Sequence, residues 1–350
     1  MLDGNDVDML AEAREAQWSS LTFMGPDAIK VLAPAKVNLF FDVERRRDDG
    51  YHDVLNVMHS LALHDDVYMR FDPEDVGSES LSIDIETVVK DSGSLMSADT
   101  DRHFRIADIA ADTERNLAAK AARKLADAIA AETGRTISGR LSIRIEKHIP
   151  SEAGLGGGSS DAAASIVGAA HLWDIDKDSP IVRSVASETG ADVAFFIKGG
   201  CQLLGGKGDE LIRAIPAMKA PLVLVKPPVG ISTAEAYARF DSDPVAIPED
   251  VRKKAVEAKE AADVPLANNL TDAAAAIAPA TAEIASFLSA SDGVRRTDDG
   301  ADVLLCGSGS AVFAICDTYN DALGIATEMQ RNGWWSRATT FSSLPAAKVG

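Results

Sequence analysis

Between residues 154 and 160 the chain reads GLGGGSS, four glycines in five residues and then two serines. Such a run gives up helix and strand propensity together, so it must be a connection, and its flanks decide what kind. Before it, LSIRIEKHI alternates Leu141, Ile143 and Ile145 with Ser142, Arg144 and Glu146, the two-residue period of a strand. After it, SDAAASIVGAAHLW (160–173) reads as a helix. A glycine loop between a strand and a helix N-terminus aims free backbone N–H groups at an anion. Ser159 and Ser160 add hydroxyl donors, with Ser160 placed to cap the helix and Asp161 to complement its dipole in the first turn.

Three phosphate-loop templates fail against this run. A Walker A loop ends in G-K-[ST], whereas Gly158 is followed directly by Ser159. The dinucleotide fingerprint fits at Gly154 and Gly156 but meets Ser159 at its third glycine, and its strand should be apolar on both faces. A protein kinase would need HRD and DFG segments downstream, and the chain has neither. The loop is therefore expected to bind phosphate in a non-Walker manner.

Composition limits what else is possible. The 350 residues suffice for two domains, and 46% hydrophobic with 25% charged residues is the balance of a globular protein. A formal net charge of -19 argues against a nucleic-acid backbone or an anionic membrane as partner, and a phosphate site must be built locally on so acidic a chain. Cys201, Cys306 and Cys316 lack metal-type spacing and fit buried thiols in a reducing compartment. His59 and His64 have no ligand spacing to a Cys or Asp cluster and are read as structural. The acidic start MLDGNDVDML and the lack of an apolar span predict a cytoplasmic protein.

Along the chain, residues 1–25 read as an acidic extension, with a short helix in DMLAEAREAQW. KVLAPAKVNLFFDV (30–43) alternates as a strand, the charged turn ERRRDDGYHD follows, and HSLALHDDVYMRF and LSIDIETVV are two more strands. Residues 90–113 lack periodicity and read as a surface insertion. ERNLAAKAARKLADAIAAETG is a helix with Leu117, Ala121, Leu125 and Ile129 on one face and Gly134 at its C-cap. SPIVRSVASETG is a further helix, and ADVAFFIKGGCQLLGGKGDEL (191–211) reads as a strand pair. A domain boundary is expected near 215–221, dividing 26–216 from 217–350. The second part reads as strand APLVLVKPP, a helix near STAEAYARF, a polar linker, alanine-rich helices over 268–288, one strand VLLCGSGSAVFAIC, a helix from Asn320 and strand RATTFSS. Without a regular strand–helix beat, the fold class is α+β.

With these elements in place, PSEAGLGGGSSDAAA resembles the nucleotide loop of the GHMP kinase superfamily. APAKVNLFFDV and RRRDDGYHDV at 33–54, GADVAFF at 190–196 and CGSGSAVFAI at 306–315 narrow the likeness. They resemble the branch that phosphorylates the 2-hydroxyl of a cytidyl-diphospho-methylerythritol, in the non-mevalonate route to isoprenoid precursors. The resemblance implies an N-terminal domain like ribosomal protein S5 domain 2 and a ferredoxin-like C-terminal domain. It implies ATP as phosphoryl donor, with Mg²⁺ carried on the phosphates rather than by an assigned side chain, in a monomer or homodimer.

Site residues carry over by motif. Lys36 matches the catalytic lysine and Asp192 the catalytic aspartate. Pro150, Ser151, Glu152, Ala153, Gly154, Leu155, Gly156, Gly157, Gly158, Ser159 and Ser160 form the ATP loop, with Asn116 and Leu117 near the adenine. Asn38, Tyr51 and His52 face the substrate, with Thr233 and Tyr237 on the second side of its cytosine slot. Elementary chemistry agrees. Lys36 and Asn38, two apart on a strand, share a face, and a Tyr–His pair offers cytosine a π-face and edge hydrogen bonds. Departures also occur. Ala194 replaces the usual proline after GADV and should loosen a turn, Cys306 replaces a small residue, and Asn269 stands where relatives carry aspartate. Two alternatives remain beside this reading: a homoserine- or mevalonate-type kinase, and a non-catalytic nucleotide-binding protein on the same fold.

Overall fold

The computed structural model describes residues 23–73, 80–90 and 116–349. The expected helix near the N-terminus and the expected insertion, from residue 91 on, lie outside these residues. The chain begins with two long antiparallel strands, β1 (Ala28–Arg46) and β2 (His52–Asp72), followed by β3 (Leu81–Val89). Helix α1 (Leu117–Thr133) leads to β4 (Gly139–Lys147), and the glycine loop leads to α2 (Gly157–Leu172). Helices α3 (Pro180–Thr189) and α4 (Ala191–Lys198) precede the hairpin β5 (Cys201–Gly205) and β6 (Glu210–Ile215).

A second sheet opens with β7 (Pro221–Lys226), then helices α5 (Thr233–Ser242) and α6 (Glu249–Glu257), the short β8 (Ala267–Asn268), and helices α7 (Thr271–Ile277) and α8 (Ala280–Ala290). A small hairpin, β9 (Arg296–Thr297) with β10 (Gly300–Ala301), precedes β11 (Val303–Leu305) and β12 (Val312–Ile315). Helix α9 (Tyr319–Arg331), β13 (Trp335–Thr340) and β14 (Ala347–Val349) complete the chain.

The first sheet runs β14-β1-β2-β4-β3, with β5 and then β6 added at β2 and with β8 beside β1; the second runs β11-β12-β7-β13. The mixture is α+β, as expected. The expected division at 216–217 falls between β6 and β7, while β8 and β14 from beyond it hydrogen-bond back to β1.

Three differences from the sequence reading have physical causes. Residues 191–198 form helix α4, not a strand, because a short apolar run fits either element and burial of Val193, Phe195 and Phe196 decides it. Ala194 accordingly loosens no turn. It sits in the first turn of α4, with its N–H 3.4 Å from the Gly190 carbonyl. The run 303–316 is two strands around a tight turn, because Gly307 and Gly309 take φ of +54° and +92°, outside strand geometry. The polar linker contains α6, a helix too polar to show an apolar face in sequence.

Packing of α1 and α2 on each other and on the first sheet sets the position of the glycine loop. Asn116 caps α1 by accepting the Ala118 N–H at 2.9 Å, and Gly134 closes it in the left-handed conformation. Helix α2 is small or apolar nearly all round and correspondingly buried. Gly168 lets it lie flat on β2, since a Cβ there would come within 2.3 Å of the Met69 sulfur. In β1, irregularities in pairing with β2 fall at Pro34/Lys36 and Asn38/Phe40, where bulges re-aim side chains.

Candidate active site

The strand-side stem of the glycine loop ends at Pro150, and the helix-side stem begins at Gly156, whose φ of +74° turns the chain into α2. Behind the loop lies the turn between β11 and β12. The Glu152 carbonyl accepts the Ser310 N–H at 3.1 Å, the Ala153 carbonyl accepts that of Ala311 at 3.2 Å, and the Leu155 carbonyl accepts that of Lys36 at 3.0 Å. Gly154 permits this contact, because a Cβ would stand 1.8 Å from the Cys306 carbonyl oxygen. With its carbonyls occupied behind, the loop leaves the first N–H groups of α2, at Gly157, Gly158 and Ser159, without intrahelical acceptors. A sixteen-residue helix adds its positive end at that point.

Two expectations about the helix start are corrected. Since α2 opens at Gly157, Ser160 is not its cap. It lies wholly buried inside the first turn, its N–H bonded to the Gly156 carbonyl at 2.9 Å. Asp161 does not complement the dipole in the first turn. It lies in the second turn and pairs with Lys147 at 2.6 Å.

The loop borders a cleft of about 730 Å³. Its lining brings together Lys36, Asn38, Asp192, Asn116, Leu117, Thr233, Tyr237 and every loop residue from Pro150 to Ser159. Ser160, Tyr51 and His52 are not part of the lining. At the floor, the Lys36 ammonium donates to Asn38 Oδ1 at 2.7 Å, and Asn38 Nδ2 donates to Asn56 Oδ1 at 2.8 Å. The expected shared face of Lys36 and Asn38 is therefore present. Asp192, in the first turn of α4, holds a carboxylate oxygen 4.0 Å from Lys36 Nζ, with Lys36 buried and Asp192 about one-third exposed. Gly307 leaves room for the ammonium, since a Cβ would come within 3.0 Å of Lys36 Nζ.

Beside the same turn, α5 carries Thr233, whose hydroxyl lies 3.2 Å from that of Ser308, and Tyr237. Burial, with the nearby Asp192 charge, holds the Tyr237 hydroxyl above the ordinary tyrosine value. The Tyr237 ring meets His52 edge-on at 4.9 Å between centroids, so His52 lies behind the cleft wall with its Nε2 2.7 Å from Asp241 Oδ1. Tyr51 is exposed, and Lys207 Nζ sits 3.6 Å from the centre of its ring.

The sequence reading missed Asn56, Lys207 and Ser308, all of which line the cleft. Asn56 was signalled by a lone polar residue inside an apolar strand run, and Ser308 by the GSGS turn. Lys207 had only its glycine-flanked position to mark it. Asn269, flagged as a departure, ties β1 to the second half. Its amide donates to Asp42 Oδ1, the Val43 carbonyl and the Val245 carbonyl at 2.9–3.2 Å, and its Oδ1 accepts the Val43 N–H at 2.9 Å. The three cysteines are free and buried, and burial pushes each thiol up to about 12.

Known proteins resemble the chain in sequence and in fold. Residues 116–200 match the GHMP kinases N terminal domain. The chain is 34% identical over 308 residues to a 4-diphosphocytidyl-2-C-methyl-D-erythritol kinase of Pelotomaculum thermopropionicum, covering 87% of this chain and 94% of the relative. It is likewise 34% identical to the one of Bacillus velezensis over 81% of this chain and 86% of that one. A crystal structure of 4-(cytidine 5'-diphospho)-2C-methyl-D-erythritol kinase is similar with a TM-score of 0.62 and 28% identity, over 90% of this chain and 99% of that one. A homoserine kinase from Cytophaga hutchinsonii superposes as well, at a TM-score of 0.64, but with 17% identity over 93% of this chain and 98% of that one. The fold is thus common to kinases with different acceptors, and the sequence carries the distinction. The chain belongs to the 4-diphosphocytidyl-2-C-methyl-D-erythritol kinase family of GHMP kinases.

Proposed function

We propose that the protein transfers the γ-phosphoryl group of ATP to the 2-hydroxyl of 4-diphosphocytidyl-2-C-methyl-D-erythritol, giving the 2-phosphate and ADP. The observation that carries this reading is the convergence of three parts on one cleft: a helix N-terminus behind a glycine loop, the buried Lys36, and the Asp192 carboxylate 4.0 Å from it. Phosphoryl transfer to an alcohol needs a held polyphosphate, neutralisation of spreading charge and a proton acceptor. The N–H groups of Gly157, Gly158 and Ser159 hold the phosphate chain, and Asn116 and Leu117 flank the base. Asp192 accepts the proton of the attacking hydroxyl, or orients that hydroxyl, and Lys36 offsets the charge developing on the transferred group. Asn38 fixes the ammonium, and Asn56 fixes Asn38.

Mg²⁺ is assigned to the phosphates and water, a fitting shell for a hard cation that keeps several of its waters. When bound it supplies charge neutralisation on the phosphate chain. Tyr51, His52, Thr233 and Tyr237 form the cytidine end, with Tyr237 in the cleft wall and His52 directly behind it. No helix among the described residues is long and apolar enough to cross a membrane.

The test is ADP release with ATP and Mg²⁺ on the cytidyl-diphospho substrate, on homoserine and on mevalonate. Release with the first alone is expected, and release with none leaves a non-catalytic nucleotide-binding protein. Lys36→Ala and Asp192→Asn should each lower kcat by roughly 10²–10⁴-fold, the usual range for an acid–base group. Turnover within a few-fold of the parent would overturn these roles.

A further inference from the structure

Three charged residues beside the glycine loop, the buried Asp65 and Asp161 and the largely buried Lys147, take no part in the chemistry above. Lys147 ends β4, three residues before Pro150, Asp161 lies in the second turn of α2, and Asp65 lies in β2. The Lys147 ammonium donates to Asp161 Oδ2 at 2.6 Å and to Asp65 Oδ2. Asp65 Oδ1 in turn accepts the backbone N–H groups of His148 and Ile149, the latter at 2.8 Å. Asp65 is completely buried and Asp161 is 6% exposed. Burial alone would lower the Lys147 pKa, but the Asp161 and Asp65 carboxylates outweigh it and hold the ammonium above the ordinary lysine value. The ammonium also lies against the first residue of α2, since a Cβ on Gly157 would come within 3.2 Å of Nζ.

These bonds join the two stems of the glycine loop. Residues 147–149 are the strand-side stem, Asp161 belongs to the helix-side stem, and Asp65 anchors both to a strand of the first sheet. Lys147 and Asp161 line the cleft and pair with each other, as Lys36 does with Asp192. A glycine loop with unfixed stems would have to be ordered by its ligand, and that ordering is subtracted from affinity. We propose that Asp65, Lys147 and Asp161 are positioning residues that set the separation of the two stems, and so the affinity for nucleotide, while leaving acceptor binding and the transfer step alone. The proposal rests on the loop being the nucleotide site.

The experiment measures calorimetric ADP binding and steady-state kinetics on the full chain carrying Asp161→Ala, Asp161→Asn or Lys147→Met, with urea unfolding of each as a folding control. Asp161→Ala leaves a balanced Lys147–Asp65 pair, so it remains a usable variant if Lys147→Met, which strands two carboxylates, does not fold. Asp161→Ala is expected to raise the Kd for ADP and the KM for ATP roughly tenfold. Its kcat and acceptor KM should stay within about twofold, a split that general loosening of the fold would not produce. Asp161→Asn, which keeps an acceptor for Lys147, should recover most of the affinity. A cooperatively folded Asp161→Ala with parental Kd for ADP, or with a loss confined to kcat, overturns this proposal alone. A parental protein that does not bind ADP overturns the nucleotide reading and the proposal with it.

Discussion

His59 makes folding stability depend on pH in a window set by its surroundings. Its ring is wholly buried on β2, with Nδ1 donating to the Ser60 carbonyl at 2.8 Å and Nε2 accepting the Met218 N–H at 3.0 Å. Only the neutral ring with its proton on Nδ1 satisfies both partners. A second proton would set a donor against the Met218 N–H and place a charge where the ring is closed off from water. Burial lowers the pKa from 6.5 to about 4, against the opposing pull of the Ser60 carbonyl. At 1.36 kcal/mol for each tenfold change in proton affinity, that difference is worth about 3 kcal/mol. Between about pH 6.5 and 4 the unfolded chain binds a proton that the folded chain refuses. The contribution is therefore complete above pH 6.5, is lost progressively as pH falls, and changes no further below about 4. Urea unfolding of the parent and of His59→Gln at several pH values from 7.5 to 4.5 isolates it, because the carboxylates common to both proteins cancel. The parent should lose over 2 kcal/mol more than the variant across that range. Parallel curves would refute the argument.

Four further outcomes follow from particular contacts. Gly154→Ala combines a φ of +74° with a Cβ 1.8 Å from the Cys306 carbonyl. The backbone conformation alone costs about 1–2 kcal/mol, so both the melting temperature and ADP affinity should fall. Lys207→Ala removes the cation over Tyr51 and should raise the acceptor KM several-fold with the ATP KM unchanged, as steady-state kinetics would show. Asn269→Asp replaces an amide that donates to three acceptors with a carboxylate facing Asp42, and should destabilise by about 1–3 kcal/mol in urea unfolding. Because the net charge is -19, stopped-flow association of ATP should accelerate as NaCl rises and the Debye length shortens, the reverse of a cationic phosphate site.

Much of the site was legible because it rests on local chemistry. The loop lies between a strand and a helix as LSIRIEKHI and SDAAASIV require, and Lys36 and Asn38 share a face because strand geometry demands it. What escaped depended on contacts far apart in sequence. Nothing near Asp161 shows that Lys147 will meet it. Nothing near Asn269 shows that its amide will be needed by Val43, 226 residues away. Helix α4 was misread because its apolar residues are buried against α2 and α3, and neither neighbour can be inferred from the eight residues themselves. The end of the chain was also misjudged. The strand read at RATTFSS is β13, but Ala347–Val349 then crosses back to pair with β1, and three residues are too short a run for any periodicity to appear.

The structure also revises why the glycines are there. As sequence, four glycines in five residues suggest a segment kept pliable. In the fold, two of them are places where another atom already occupies the space of a side chain, the Cys306 carbonyl at Gly154 and the Phe196 ring at Gly156, and at Gly157 a Cβ would be in tight contact with Ile149 and the Lys147 ammonium. Only at Gly158 would a Cβ meet nothing within 4 Å, and Gly158 borders the cleft. Among the described residues the cleft's three lysines are each beside an acid: Lys36 near Asp192, Lys147 between Asp65 and Asp161, and Lys207 4.0 Å from Asp49. Side-chain charge therefore gives a polyphosphate little net attraction, on a surface that repels it at long range. On the proposed reading backbone N–H groups must then do the holding, and they act only over hydrogen-bond distances from a loop of fixed shape. Close packing behind Gly154, Gly156 and Gly157 fixes that shape, so the glycines serve rigidity, and an acidic protein can hold an anion without a Walker lysine.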